Sequence, residues 1–320
     1  MLNAIKNFHK QFSYNPKIEN NKYYKKSKKY IILGMGGSHL AADLLKIFSP
    51  ELKLIIHKNY NLPILSKKEL KESLIIANSY SGNTEEVLSG VKIALKNKLN
   101  IFIISTGGKL IKLAKKNNIP YIQIPNTGIQ PRSALGFNIR ALAKAIKLNN
   151  LLKDTELLSK KLKPNIFKKR GENLSKKLKN YIPIIYSSTK NTAIAYNWKI
   201  KFNENTKIPS FYNVIPELNH NEMNGFDYIN TNKKLSNNFY FIFLNDKNDY
   251  DKNIKRMKIL SKLYKNRGFK IINIELNGKN IIEKTFSNLI LADWVSYFLA
   301  LKYKVNPEQV PMVEEFKKLI

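Results

Sequence analysis

Short, largely apolar runs alternate along this chain with stretches in which apolar positions return every three or four residues. In the first half the runs fall at 30–33, 52–56, 74–78, 100–105 and 121–124, and they read as strands buried on both faces. Between them, 40–48, 85–96 and 109–116 carry the helical period, and 134–147 follows as a further helix. Strand and helix in alternation predict a parallel α/β sheet. The second half repeats the plan, with strands at 182–186, 239–244 and 270–274. Its helices are expected at 192–202, 253–267, 281–303 and, briefly, 313–319. A polar, lysine-rich stretch at 149–163 reads as the boundary, so two domains are expected, 1–150 and 151–320. The length agrees, because single cores rarely grow past about 250–300 residues.

Composition narrows the chemistry. There is no cysteine, which removes disulfides, thiolate metal sites and cysteine nucleophiles. The histidines are His9, His39, His57 and His220, and no two stand at metal-ligand spacing, so no metal is expected. The polar N-terminus does not read as a signal peptide, and no apolar run approaches the roughly 18–20 residues of a membrane span. A soluble, cytoplasmic protein with no membrane partner is therefore expected.

Charge changes the picture less than its size suggests. Lys and Arg number 56 against 23 Asp and Glu, a formal net charge of +33. Such a field attracts phosphorylated metabolites, nucleic acid or anionic membrane. The excess is nearly all lysine, however, dispersed beside abundant Asn, Ile and Tyr, the mark of an A/T-rich coding sequence. With no nucleic-acid motif, the charge does not predict nucleic acid as the primary partner. One dense run, KYYKKSKK at 22–29, interleaves tyrosine with lysine, a composition able to touch RNA. It is also an ordinary charged lead-in to a strand.

Two glycine-bearing turns carry the chemical signal. Gly34-Met35-Gly36-Gly37-Ser38-His39 leaves the first strand and opens a helix. It is not a dinucleotide fingerprint: His39 stands at the third glycine, and the next strand ends Ile-Ile-His-Lys without the acid that holds a ribose. Either the backbone approaches a ligand here or the glycines serve only tight strand–helix packing. Ser79-Tyr80-Ser81-Gly82-Asn83-Thr84-Glu85-Glu86 leaves a buried strand and enters the helix at 85–96. Backbone N–H groups and the helix dipole favour an anion there, and the Ser79, Ser81 and Thr84 hydroxyls can add donors. Capping by Asn83, with Glu86 reaching back, is expected alongside.

The pair of turns, GMGGS and then SYSGNTEE, resembles the sugar-isomerase (SIS) family of phosphosugar-binding domains. Four later segments narrow the resemblance: PRSALG at 131–136, NEN at 203–205, PELNHNE at 216–222 and DWVSY at 293–297. Together they are similar to the bifunctional phosphoglucose/phosphomannose isomerases. The resemblance implies two SIS domains, each a mainly parallel sheet flanked by helices in an α-β-α sandwich, with the terminal helix packed back on the active site. It implies isomerisation of glucose 6-phosphate, and of mannose 6-phosphate, with fructose 6-phosphate, without any cofactor.

Such a reaction moves a proton between C1 and C2 through a cis-enediolate. It needs a carboxylate of suitable reach, a group to open the ring, and positive charge beside the developing oxyanion. By resemblance Glu204 is the proton-transferring base; otherwise it is a solvated glutamate at a helix end. His220 implies ring opening in the active site of the neighbouring subunit, and hence a homodimer. Arg132, after Pro131, would support the enediolate or hold the sugar, or would form a salt bridge at a helix start. Lys317 is the positional match for a ring-opening lysine, with Lys318 beside it. Ser79, Ser81 and Thr84 would hold the phosphate, with Gly37 and Ser38 near the sugar. Two departures stand out: His39 in the first turn, where a small residue is usual, and Glu308-Gln309 in place of a Pro-rich run. Two alternatives stay open, a non-catalytic SIS phosphosugar regulator and an SIS isomerase of another phosphosugar.

Overall fold

The computed structural model describes residues 1–227 and 232–320. The chain divides into two units, one of Asn7–Lys163 and one of Met1–Lys6 with Pro164–Ile320. The division falls later than the 150/151 expectation because the lysine-rich stretch is a helix, Asn149–Lys161, belonging to the first unit. Its apolar stripe is narrow, with only Leu151, Thr155 and Leu158 buried. Arg140 fastens it: the guanidinium donates to the Leu152 carbonyl at 2.8 Å and to Thr155 Oγ1 at 3.0 Å.

The first unit holds five strands, β1 (Lys29–Leu33), β2 (Lys53–His57), β3 (Ser73–Asn78), β4 (Asn100–Ser105) and β5 (Tyr121–Gln123). They pair entirely in parallel in the order β2-β1-β3-β4-β5. All six residues of β3 are buried, as a central strand covered on both faces requires. One face packs Ile31, Leu33, Ile75 and Ile103 against Val87, Val91 and Leu110 of the helices Glu85–Lys96 and Gly108–Lys116. The chain passes from β1 outward to β2 and then back across to β3. Neighbouring β1 and β3 therefore send their connections opposite ways, and the crevice at their carboxyl ends is where such sheets bind ligands.

The second unit holds β6 (Ile182–Ser188), β7 (Phe211–Ile215), β8 (Phe239–Asn245) and β9 (Lys270–Glu275), again all parallel, in the order β7-β6-β8-β9. Strand β7 was not foreseen. It is an edge strand with Phe211 and Tyr212 exposed, so its sequence lacks the apolar run of an interior strand. Aromatic rings fill the core on one face: Phe241 lies 4.6 Å from Tyr264 and 4.9 Å from Phe226, centroid to centroid. On the other face the helix Ile281–Lys302 packs against Lys168–Leu178. A β-carbon added at Gly171 would lie 2.4 Å from Trp294 Cβ, so the missing side chain is what lets these helices meet. Trp294 is fully buried and donates its indole N–H to the Pro164 carbonyl at 2.8 Å. Among the described residues no helix is long and apolar enough to cross a membrane.

Candidate active site

Three turns of the first unit converge at the crevice between β1 and β3. Ser38 joins two of them: its hydroxyl accepts from the Tyr80 N–H at 2.9 Å, and its carbonyl accepts from Asn78 Nδ2 at 2.8 Å and Asn138 Nδ2 at 3.2 Å. Ser38 is thus buried and holds the glycine turn to the serine loop, a positioning task beyond the sugar contact expected of it. Gly37 brings in the third turn. A β-carbon there would lie 2.5 Å from Arg132 N and 2.7 Å from the Pro131 carbonyl carbon. The short 3-10 turn Pro131–Ser133 therefore rests directly on the glycine turn.

The hydroxyls of the serine loop face one another. Ser79 Oγ and Thr84 Oγ1 are 2.7 Å apart, and Ser79 Oγ also accepts from the Gly82 N–H at 3.1 Å. Ser81 is exposed, its hydroxyl accepting from the Asn83 N–H at 3.2 Å. The helix that follows, Glu85–Lys96, begins at Thr84 and has no side-chain cap. The expected capping by Asn83 is corrected: Asn83 Oδ1 accepts instead from the Lys109 N–H at 3.0 Å, at the start of the next helix. Geometry dictates this, because the turns around Gly82 and Gly108 interlock. Both glycines have φ of +70°, and a β-carbon on Gly82 would lie 1.9 Å from the Gly107 carbonyl oxygen. With no side chain spent on capping, the first N–H groups of Glu85–Lys96 remain available to an anion.

Arg132 is buried, and its turn is braced by a residue the sequence did not flag. Gln11 Nε2 donates to the Ser133 carbonyl at 2.8 Å, while Gln11 Oε1 accepts from the Gly136 N–H at 2.9 Å. Gln11 is thus the cap of the helix Leu135–Ala145, supplied from 125 residues away. His39 is buried as well, its Nδ1 2.7 Å from Asp43 Oδ2 one helical turn on, and Lys58 Nζ lies 3.5 Å from the same oxygen.

In the second unit Glu204 sits within a π-turn, Phe202–Thr206, that continues the helix Thr192–Lys201. The widened turn ends at Lys207 with φ of +57°, and such turns re-aim side chains where a regular helix could not. Glu204 is half-buried. Its neighbours are pinned: Asn205 Nδ2 donates to Ser296 Oγ at 2.9 Å, Asn203 Nδ2 to the Ile208 carbonyl at 3.0 Å, and buried Lys201 pairs with Asp293. The NEN and DWVSY segments, separate in sequence, are one construction, the second holding the turn that carries Glu204.

His220 ends the 3-10 turn Glu217–His220 and is exposed. Of the flanking asparagines, Asn219 Oδ1 accepts from Arg256 at 3.3 Å, while Asn221 serves the loop itself. Asn221 Nδ2 donates to Glu217 Oε1 at 2.8 Å, and its Oδ1 accepts from the Glu222 N–H at 2.6 Å. Glu222, which sequence reasoning had not singled out, anchors the loop to the sheet through Tyr186 Oη at 2.6 Å and through Asn213. Burial, the neighbouring Tyr264 and the Glu222 carboxylate push the Tyr186 hydroxyl far up, so it stays a donor. The terminal helix Pro311–Leu319, expected to pack back on the site, buries no residue. Its Lys317 instead pairs with Glu314 at 3.1 Å, and Met312, Phe316 and Leu319 are exposed.

A lysine–aspartate pair lies at the carboxyl end of β8. Lys284 Nζ donates to Asp246 Oδ2 at 2.6 Å, and both side chains are buried. Burial pushes the Asp246 carboxyl up, but bonds from Lys284, the Asn248 N–H and Asn191 outweigh it and hold its pKa below the ordinary range.

Comparison with known proteins identifies the family. Residues 167–320 match the bacterial phospho-glucose isomerase C-terminal SIS domain. The chain is 33% identical over 306 residues to a bifunctional phosphoglucose/phosphomannose isomerase of Caldicellulosiruptor bescii, covering 90% of this chain and 88% of that one. It is 30% identical to the Aquifex aeolicus protein of the same name, over 98% and 96% of the two chains. Among solved structures, the C-terminal domain of glucosamine-fructose-6-phosphate aminotransferase from Francisella tularensis shares the fold, with a TM-score of 0.70 at 17% identity over 96% of this chain and 95% of that domain. From motifs, fold and extent of match together, the chain belongs to the bifunctional phosphoglucose/phosphomannose isomerase family.

Proposed function

We propose that this protein is a cytoplasmic aldose–ketose isomerase, interconverting glucose 6-phosphate and mannose 6-phosphate with fructose 6-phosphate. The carrying observation is the serine loop: hydroxyls and helix N–H groups free of capping duties, at the crevice where the strand order of the parallel sheet reverses. That arrangement suits a phosphate dianion. The family's reaction then assigns the remaining parts. His220 and Lys317 exchange protons with the ring oxygen and O1 to open the sugar. Glu204 takes the C2 proton of the aldose as the C1 carbonyl gains electron density, giving the cis-enediolate. Returning the proton to C1 while the O2 hydroxyl proton passes to O1 gives the ketose. Rotation about C2–C3 before return to C2 gives the epimeric aldose. Arg132 stabilises the enediolate oxygens electrostatically. No step requires a nucleotide or metal.

A homodimer is part of the proposal. His220 is exposed on its loop, and the terminal helix displays an uncovered apolar face, the condition expected of groups completed by a second copy.

The test is a coupled assay of glucose 6-phosphate formed from fructose 6-phosphate and from mannose 6-phosphate. Turnover of both is expected, and Glu204→Gln should abolish it while phosphosugar binding persists. Full activity in that variant would remove Glu204 from the mechanism. Binding without turnover in the unaltered protein would instead identify a phosphosugar sensor.

A further inference from the structure

The amino ends of the first sheet, about 16 Å from its ligand-binding ends by strand length, form a second polar surface. A groove of about 990 Å³ lies there, lined by the segments that lead into β1, β3, β4 and β5. Five exposed lysines line it: Lys22, Lys25, Lys26, Lys71 and Lys98. Glu72, the one acid among its described lining residues, is already paired with Lys29 at 2.7 Å. We propose that this groove binds single-stranded RNA.

The basic segment is built into place. Tyr24 donates its hydroxyl to the Ala145 carbonyl at 2.9 Å and packs its ring 5.8 Å from Phe102. Ser27 Oγ is 2.7 Å from the Glu72 carbonyl, and Asn100 Nδ2 donates to the Lys25 carbonyl at 2.9 Å. With Tyr24 and Ser27 holding inward, Lys22, Tyr23, Lys25 and Lys26 are left exposed. Tyr23 is 41% exposed, and Lys22 Nζ lies over one face of its ring, 5.0 Å from the centroid. An aromatic face flanked by cations is what stacks a base and holds its phosphate. Beside it, the exposed amides Asn97 and Asn117 each give one N–H to the Ile93 and Leu113 carbonyls respectively. Their oxygens remain as acceptors, and a ribose 2′-hydroxyl is a donor where a bare polyphosphate has none. The surface is concave, unsuited to a flat lipid face.

The test is fluorescence anisotropy with a labelled oligouridylate across a range of salt. Replacing Lys22, Lys25, Lys26 and Lys98 together by alanine should flatten the slope of log affinity against log salt by about 3. Tyr23→Ala should weaken oligouridylate about tenfold and leave inorganic polyphosphate binding unchanged. A control with Lys252, Lys255, Lys258 and Lys262, exposed on the helix Asp251–Asn266, replaced by alanine should retain the full slope. Melting temperature and isomerisation should be unchanged in every variant. Equal flattening by the control quartet, indifference to Tyr23→Ala, or polyphosphate binding as tight as RNA would each overturn the proposal, leaving only a diffuse positive field.

Discussion

Asn205 and Ser296, 91 residues apart, are joined by a 2.9 Å hydrogen bond that anchors the turn carrying Glu204. A base must be placed within a fraction of an ångström to transfer a proton efficiently, and a misplacement near 1 Å can cost about a hundredfold. Asn205→Ala and Ser296→Ala should each lower kcat for fructose 6-phosphate about ten- to hundredfold with little change in KM. Because both remove one bond, the double variant should be no worse than the poorer single one. Additive losses would show that the two residues act separately.

Ser81, proposed as a phosphate donor, has an exposed hydroxyl, and losing one hydrogen bond to a charged group costs about 1.5–3 kcal/mol. Ser81→Ala should therefore raise KM for fructose 6-phosphate at least tenfold with an unchanged melting temperature. Gly82→Ala should do both kinds of harm, since its φ of +70° and the Gly107 carbonyl leave no room for a side chain. Substrate titration and thermal melts distinguish the two.

Arg132 and Gly37 form a second contrast. Arg132→Lys keeps the charge but loses the planar fork, so kcat should fall about a hundredfold while the fold is retained. Gly37→Ala strikes the backbone at residues 131–132 and should lower kcat through displacement of an unaltered arginine. A Gly37→Ala enzyme of normal activity would refute that placement.

Lys284 and Asp246 should govern acid stability. Lys284→Met removes the buried cation from a carboxylate that keeps Asn191, the Asn248 N–H and, at 3.9 Å, Lys190. The cost should stay below the roughly 3–5 kcal/mol of a fully unpaired buried charge, and adding Asp246→Asn should recover part of it. The sign with pH follows from the lowered folded pKa of Asp246. Its contribution is fully present above the unfolded value of about 3.9 and is lost as pH falls through the folded one. Denaturant titrations should thus find Asp246→Asn losing less stability than the unaltered protein as pH drops below about 4.

Sequence alone disclosed the parts whose signals are local. The helix expected at 85–96 is observed at Glu85–Lys96, and the strand expected at 100–105 at Asn100–Ser105. In each, period and flanking residues agree with the tertiary setting. The helix expected from 40 begins at Gly37, because glycine in its first turn hides the start from any apolar pattern. Strand β7 was missed because an edge strand needs no apolar alternation. The capping role of Gln11, the anchoring role of Glu222 and the donation from Lys109 to Asn83 were illegible for another reason. Each bond spans 26 residues or more, or rests on a strand that no pattern revealed. Arg140 shows the limit of arguing from residue type. Like Arg132 it is a rare arginine in a lysine-rich chain, yet its fork is spent on joining helices.

The interlocked turns at Gly82 and Gly108 have one more consequence. Two backbones in van der Waals contact restrict the shapes open to the serine loop, so much of its conformational entropy is surrendered when the chain folds. A phosphosugar bound there as proposed would meet donors already aligned, with little of its binding free energy diverted to ordering them. Preorganisation of this kind predicts fast capture at a rigid cradle, with adjustment confined to whatever closes over the sugar afterwards.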